Sequence, residues 1–226
     1  MEDEVPVRQQ FLEDLAHLQS KLVEMTLRTD TMLEGALDSL LAADLVKAKA
    51  VVRQDDAVDA LDLEIEALCL HLIALQSPVD QDLRVISTAL KAITDIERIA
   101  DYAVDIAKAG RRLTRANLPY QPLVDVPELF GMTRQMLSRA VYALTHQDLD
   151  VVFEVIRFDN EVDRRYIVMR DTLMEYLSED NSQSVMILNL LFIITYLERA
   201  CDHIVSIAAR VHFLITGEFL RPNDVA

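Results

Sequence analysis

Glycine, proline, tryptophan and cysteine are all scarce in this chain: 226 residues hold four Gly, six Pro, two Cys and no Trp. A β-rich or α/β chain needs Gly and Pro at its many turns. Here Pro is missing from 7 to 77, from 79 to 118 and from 128 to 221, and those stretches are rich in Ala, Leu, Asp, Glu and Arg. Long helices with few interruptions, and an all-α fold, are expected. The two cysteines, Cys69 and Cys201, are too few for a disulfide framework and show no CxxC or Cys/His spacing. Each stands among apolar residues at helical spacing and reads as a small buried hydrophobe.

Positive charge is also in short supply, with 22 Lys plus Arg against 38 Asp plus Glu, a formal charge of −16. Nucleic-acid affinity comes largely from Lys and Arg neutralising phosphates, so a nucleic-acid partner is not expected. A hydrophobic fraction of 51% excludes a disordered acidic tail and is enough for one domain or two small ones packed together. The N-terminal MEDEVPVRQQ has none of the basic and apolar architecture of a signal peptide, so a soluble cytoplasmic protein is expected. The longest uncharged stretch, Asn181 to Leu197, falls short of the roughly 20 residues that span a bilayer and carries Gln183, Asn189 and two serines. It reads as a helix buried in the middle of a bundle.

Apolar periodicity divides the chain into six helical segments, at about 7–41, 44–76, 80–115, 126–146, 148–178 and 182–216. Asp44 is the expected N-cap of the second, Ser77 and Pro78 its stop, and Gly217 the C-cap of the last. LPYQPLVDVP at 118–127 is the one Pro-rich stretch and the natural boundary. The two sides of it repeat. TDIERIADYAVDIA at 94–107 and TYLERACDHIVSIA at 195–208 share seven of fourteen residues without a gap. Upstream, DDAVD at 55–59 meets DNEVD at 159–163, Asp44-Leu45 meets Asp148-Leu149, and Met32-Leu33 meets Met136-Leu137, all at a spacing of 104. The spacing falls to 101 in the loop between the second and third helix of each half, where length changes are best tolerated. The expected architecture is two tandem antiparallel three-helix bundles related by internal duplication, 1–118 and 119–226.

Each copy carries two acidic pairs at i, i+4: Asp55/Asp59 and Glu97/Asp101 in the first, Asp159/Asp163 and Glu198/Asp202 in the second. Residues four apart share a helix face, so each pair sets two carboxylates side by side. Roughly six such pairs arise by chance in a chain one-sixth acidic, and the usual reading is a solvated face. Recurrence at equivalent places on adjacent helices of both copies is what singles these out. Clustered carboxylates repel unless they bind cations, take up protons or face water. An all-oxygen set suits hard cations such as Mg²⁺, Ca²⁺, Mn²⁺ or iron. Asp62, Glu66 and Asp105 extend the first set, where Tyr166 and Ser206 stand for Asp62 and Asp105 in the second, so the first cluster is expected to be the more highly charged.

Glu97-Arg98 and Glu198-Arg199 repeat as well. Adjacent helix residues point about 100° apart, so each Arg lies off the carboxylate face and reads as an ion pair or interhelical contact. His203 could add a nitrogen ligand, against the commoner role of an interhelical hydrogen bond. No GxGxxG, GK[ST], HExxH or GxSxG pattern occurs, nor the ExxH of di-iron bundle enzymes. An enzyme is the weaker hypothesis. A carboxylate-bridged metalloenzyme and a purely structural interaction module are the alternatives.

LIALQSPVDQDLR at 72–84, the two ER-D segments and the two DxxVD segments together resemble the PhoU family, the accessory proteins of bacterial phosphate-specific transport. The resemblance covers nearly the whole chain. It implies two similar three-helix bundles with paired E(D)xxxD motifs that bind metal, in some members as multinuclear iron. On this chain the implied ligands are Asp55, Asp59, Glu97 and Asp101 for one site and Asp159, Asp163, Glu198 and Asp202 for the other. It further implies a cytoplasmic, usually dimeric regulator, without catalytic residues, that restrains phosphate uptake and the phosphate-starvation response. The implied partners are the ATPase of the phosphate ABC transporter and a membrane sensor histidine kinase, with membrane contact through partners only. The chain departs from the family where Ala100 and Cys201 replace a frequent Gly, where Tyr196 replaces the Asp kept at Asp95, and where Asp105 and Ser206 stand for a common Asn.

Overall fold

The computed structural model describes residues 4–76, 78–179 and 181–220. Six long helices follow in order: α1 (Glu4–Leu41), α2 (Leu45–Gln76), α3 (Asp80–Arg115), α4 (Val126–His146), α5 (Leu149–Glu179) and α6 (Ser184–Thr216), with a 3₁₀ turn at Asn181–Gln183. No strand occurs among the described residues. The helix ends fall within three residues of those expected from periodicity, the largest difference being the start of α1. Ser77, the expected stop of α2 with Pro78, lies outside the described residues.

The helix ends show how a glycine-poor chain turns. Asp44 caps α2 by accepting hydrogen bonds from the backbone N–H groups of Val46 (2.8 Å) and Lys47 (3.0 Å). Its repeat counterpart Asp148 caps α5 in the same way, through Asp150 and Val151. The residue before each cap, Ala43 or Gln147, adopts a left-handed backbone with φ of 49° and 52°. That conformation strains a residue with a Cβ, and the duplication has kept it twice. Only after α6 does a glycine serve, Gly217 at φ 78° with its N–H on Phe213 O at 2.8 Å.

Helices α1 to α3 form one three-helix unit and α4 to α6 the other; α3 against α6 is the main contact between them, and α1 against α4 a smaller one. Arg134 meets Asp30 through two hydrogen bonds of 2.7 and 2.8 Å. At the spacing of 104 these two are each other's counterparts, and a position that meets its own counterpart marks a twofold axis. Across α3 and α6, His203 Nδ1 lies 2.8 Å from Asp95 Oδ1 and the Tyr102 and Tyr196 rings stack at 5.8 Å. At the spacing of 101, Tyr196 corresponds to Asp95 and His203 to Tyr102. One contact is thus made twice around the axis, once as a hydrogen-bonded acid and imidazole, once as two stacked rings. α3 and α6 run antiparallel through this axis, while α2 and α5 lie outermost.

The core draws on small and large side chains of both central helices. Ala89, Ala92, Ala100, Ala103 and Ala107 of α3 and Ile193, Ile194, Leu197, Ile204 and Val211 of α6 are all fully buried. By length and composition α6 could cross a membrane, yet half of its apolar window is buried inside the bundle. Cys69 and Cys201 are buried as expected, and burial pushes the Cys69 thiol up to about 12. Cys201 sits 3.4 Å from the Thr133 hydroxyl.

Relief of the left-handed strain is measurable. Ala43→Gly is expected to raise stability by about 0.5–1 kcal/mol, since glycine adopts that backbone freely and gives back only part of the gain as chain entropy. Leu197→Ala is expected to cost about 2–5 kcal/mol through the cavity it leaves. Urea denaturation followed by circular dichroism checks both.

Candidate metal centres

The first acidic cluster lies across the seam of α2 and α3. Asp55 and Asp59 stand one turn apart on α2, and Glu97 and Asp101 one turn apart on α3. Val58 and Ile65 of α2 and Ile96, Ile99 and Ala100 of α3 are buried between the helices, which leaves the acids at the margin of the seam. Burial, then Asp59 and Asp101, push the Asp55 carboxyl above its usual range, while Lys108 pulls it back. Glu97 is raised by burial and then by Asp101, with Asp59 and Asp62 adding to the push and Arg98 opposing it. Asp55 and Glu97 thus both feel the charge of Asp59 and Asp101. Asp59, Asp62, Leu63, Thr94 and Glu97 line a depression of about 440 Å³.

The second cluster repeats this on α5 and α6. Burial, then Asp163, Asp202 and Glu198, push Asp159 up to about 7. Burial is also the leading cause that raises Glu198 and Asp202, followed by Asp202 and Asp163 for Glu198 and by Asp163 for Asp202. Tyr166, which replaces Asp62, places its hydroxyl 3.4 Å from Thr195 Oγ1, so an aromatic ring occupies the side where the first cluster opens into its depression.

The clusters differ in how their charge is answered. Arg98 reaches Asp101 at 3.1 Å and Glu97 at 3.6 Å, and Lys108 reaches Asp105 at 3.2 Å. Lys108 has Ala209 as its counterpart, and among the described residues no basic side chain lies within ion-pair distance of Asp159, Asp163, Glu198 or Asp202. The first cluster has more carboxylates, as expected, yet the less compensated one is the second. Counting acids along a stripe missed this because the cation comes from the next turn of α3; Lys108, three residues beyond Asp105 on the same stripe, was the available signal. His203 does not complete the set as a ligand through Nδ1, which faces Asp95; it ties α6 to α3 instead.

The side chains are near enough to repel but are not gathered: among the described residues, no three His, Cys, Asp or Glu side chains converge on one point. Their chemistry nevertheless fits a hard cation. The donors are all oxygen, partly desolvated, and held in mutual repulsion that a cation would relieve.

Fold and clusters together define a duplicated helical-bundle protein with one acidic cluster at the same place in each repeat. A family model described as the PhoU domain matches residues 22–110 and again 126–211. The phosphate-specific transport system accessory protein PhoU homolog of Clostridium acetobutylicum is 33% identical over 218 residues, 96% of this chain and 99% of that protein. The homolog of Pseudomonas aeruginosa is 29% identical over 95% of this chain and 89% of its own. The crystal structure of PhoU from Pseudomonas aeruginosa superposes with a TM-score of 0.88 at 28% identity, covering 92% of this chain and all of that one. That of the phosphate transport system regulatory protein PhoU from Streptococcus pneumoniae gives 0.86 at 25%, covering 93% and 99%. This chain belongs to the PhoU family.

The raised carboxyl of Asp159 has a pH consequence with a definite sign. Its ordinary value is 3.8 and its folded value about 7, so between these the folded state holds more protons than the unfolded one. Stability therefore falls as pH rises through this window. In chelator, the melting temperature is expected to drop from pH 5 to pH 8, and Asp159→Asn to flatten the slope. A differential scanning fluorimetry series at fixed ionic strength decides it, and an unchanged slope in the variant would remove Asp159 as the source.

Proposed function

We propose that this protein is a cytoplasmic, non-enzymatic regulator of phosphate uptake and of phosphate-starvation signalling. In this reading it acts as a homodimer through contacts with the ATPase of the phosphate ABC transporter and with a phosphate-sensor histidine kinase. The relatives named as accessory proteins of phosphate-specific transport support a role connected with that transport. The observation that carries the reading further is the recurrence of one partly desolvated four-carboxylate cluster in both repeats.

In the proposal Asp55, Asp59, Glu97 and Asp101 hold metal in the first repeat, and Asp159, Asp163, Glu198 and Asp202 hold it in the second, with iron a candidate alongside Mg²⁺, Ca²⁺ and Mn²⁺. A bound cation supplies fixed positive charge where the chain has eight acids, which lets phosphate or an acidic partner surface approach. The acids sit at the margin of helix seams, partly exposed, and the depression beside the first cluster is walled by the exposed side chains of Asp59 and Leu63. That arrangement favours a surface switch over the water-excluding cavity a carboxylate-bridged enzyme uses.

Elemental analysis of protein purified without chelator or His tag tests the metal. Glu97→Gln with Asp101→Asn is expected to remove the first site's share and leave the second. Unchanged metal content would overturn the assignment. Phosphate titration by calorimetry is expected to give heat only with metal loaded. Retention of the transporter ATPase on immobilised protein tests the partner, and its absence with and without metal would count against that part of the proposal.

A further inference from the structure

The acidity of this chain is not spread evenly over its surface. Helices α3 and α6 hold nine Lys or Arg against eight Asp or Glu, seven and six on α3 and two of each on α6. The other 157 residues hold thirteen basic and thirty acidic residues. The pair at the centre of the molecule is therefore net +1 while the remainder is −17.

These two helices share an outer face. The twofold axis runs from the α1/α4 contact through the α3/α6 seam, so the solvent stripes of α3 and α6 lie side by side, away from α1 and α4. On α6 the stripe carries Val185, Leu188 and Phe192, each about half exposed at 50%, 46% and 50%, at the i, i+3, i+7 spacing of one helix face. Arg112 Nε donates to Asn189 Oδ1 at 3.0 Å, which sets the last turns of α3 beside the first turns of α6. Arg112 and Arg115 are exposed there, and no Asp or Glu occurs from 106 to 124. Phe192 stacks on Tyr196, which stacks on Tyr102, so the apolar strip runs into the seam.

From this juxtaposition we infer that the α3/α6 face is a docking surface for an anionic phospholipid bilayer, with Val185, Leu188 and Phe192 entering the interface and Arg112 and Arg115 meeting headgroup phosphates. Charge complementarity selects an anionic occupant: α3 and α6 together are net +1 in a −16 protein, Asp101 and Asp105 on the α3 stripe are met by Arg98 and Lys108, and the excess acidity of α1, α2 and α5 orients the molecule with this side toward a negative surface. Shape selects a bilayer over a partner helix. The Tyr102–Tyr196 stack and the Asp95–His203 contact fill the middle of the seam, so α3 and α6, about 54 and 50 Å long, present a broad two-helix surface there. Apolar side chains with cations beside them, on a helix lying flat, match the interfacial mode of membrane binding. The inference adds direct lipid contact to a protein expected to meet the membrane only through partners.

The full chain is floated with vesicles of phosphatidylglycerol and phosphatidylethanolamine, or of phosphatidylcholine alone, in chelator so that divalent ions cannot bridge acidic protein to acidic lipid. Wild type is expected to float with the anionic vesicles only and to be released by high salt. Arg112→Gln with Arg115→Gln is expected to lower partitioning by about fivefold for each cation lost, and Phe192→Asp to abolish flotation. Arg28→Gln, on the far side of α1, is expected to change nothing; helicity by circular dichroism confirms that the variants fold. Flotation equal on both vesicle types, no flotation of wild type, or Phe192→Asp floating like wild type would each overturn the inference. Loss of transporter-ATPase retention in these variants, with no vesicle binding by wild type, would assign the face to a protein and overturn it equally.

Discussion

The antiparallel packing of α3 on α6 is the constraint on which the rest of the molecule depends. Each three-helix unit can bury one side of its third helix alone, but α6 is apolar over most of its circumference and α3 carries buried side chains beyond those its own unit covers, so each leaves a second side to cover. Burying those sides against each other removes several Leu, Ile and Val side chains from water, at about 1.5–3 kcal/mol each. Both helices bury small and large side chains, among them Ala92, Ala103 and Ile99 of α3 and Ala200, Ile193 and Ile204 of α6. Because the helices are copies of one another, the contact generates the twofold axis, and α1/α4 and the outer helices follow from it.

That axis links the two acidic clusters. Glu97 and Asp101 flank the turn of α3 that meets α6, and Glu198 and Asp202 flank the corresponding turn of α6. The side chains between them, Asp95, Tyr102, Tyr196 and His203, make the cross-axis contacts. Divergence between the repeats has exchanged an acid and imidazole for two stacked tyrosines while both contacts kept their place. Within the clusters it has moved a lysine into one and a tyrosine into the other, so two sites with the same four acids have different electrostatics.

Much of the fold was legible in the residues. Pro-free stretches and 3.6-residue periodicity located six helices, the two capping aspartates marked equivalent starts, and the spacing of 104 and then 101 identified counterparts. The acids of each cluster were legible because they recur at those counterparts. Less visible were Lys108 beside Asp55, Asp95 facing His203, and Asp30 facing Arg134. Periodicity shows which side of a helix faces inward but is silent about which helix faces it, and these contacts join residues up to 108 positions apart.

Scarcity of glycine and proline determined by itself that the chain is helical, and duplication determined that whatever one half presents the other presents again. Tertiary structure alone decided where charge accumulates. A count of −16 describes the whole chain, but packing buried the apolar sides of α3 and α6 against each other and set their outer stripes, where acids and bases nearly balance, together, with most of the excess acidity on α1, α2 and α5. The same packing held eight carboxylates partly out of water. Desolvation and proximity act through space, and only folding brings those residues within reach of one another.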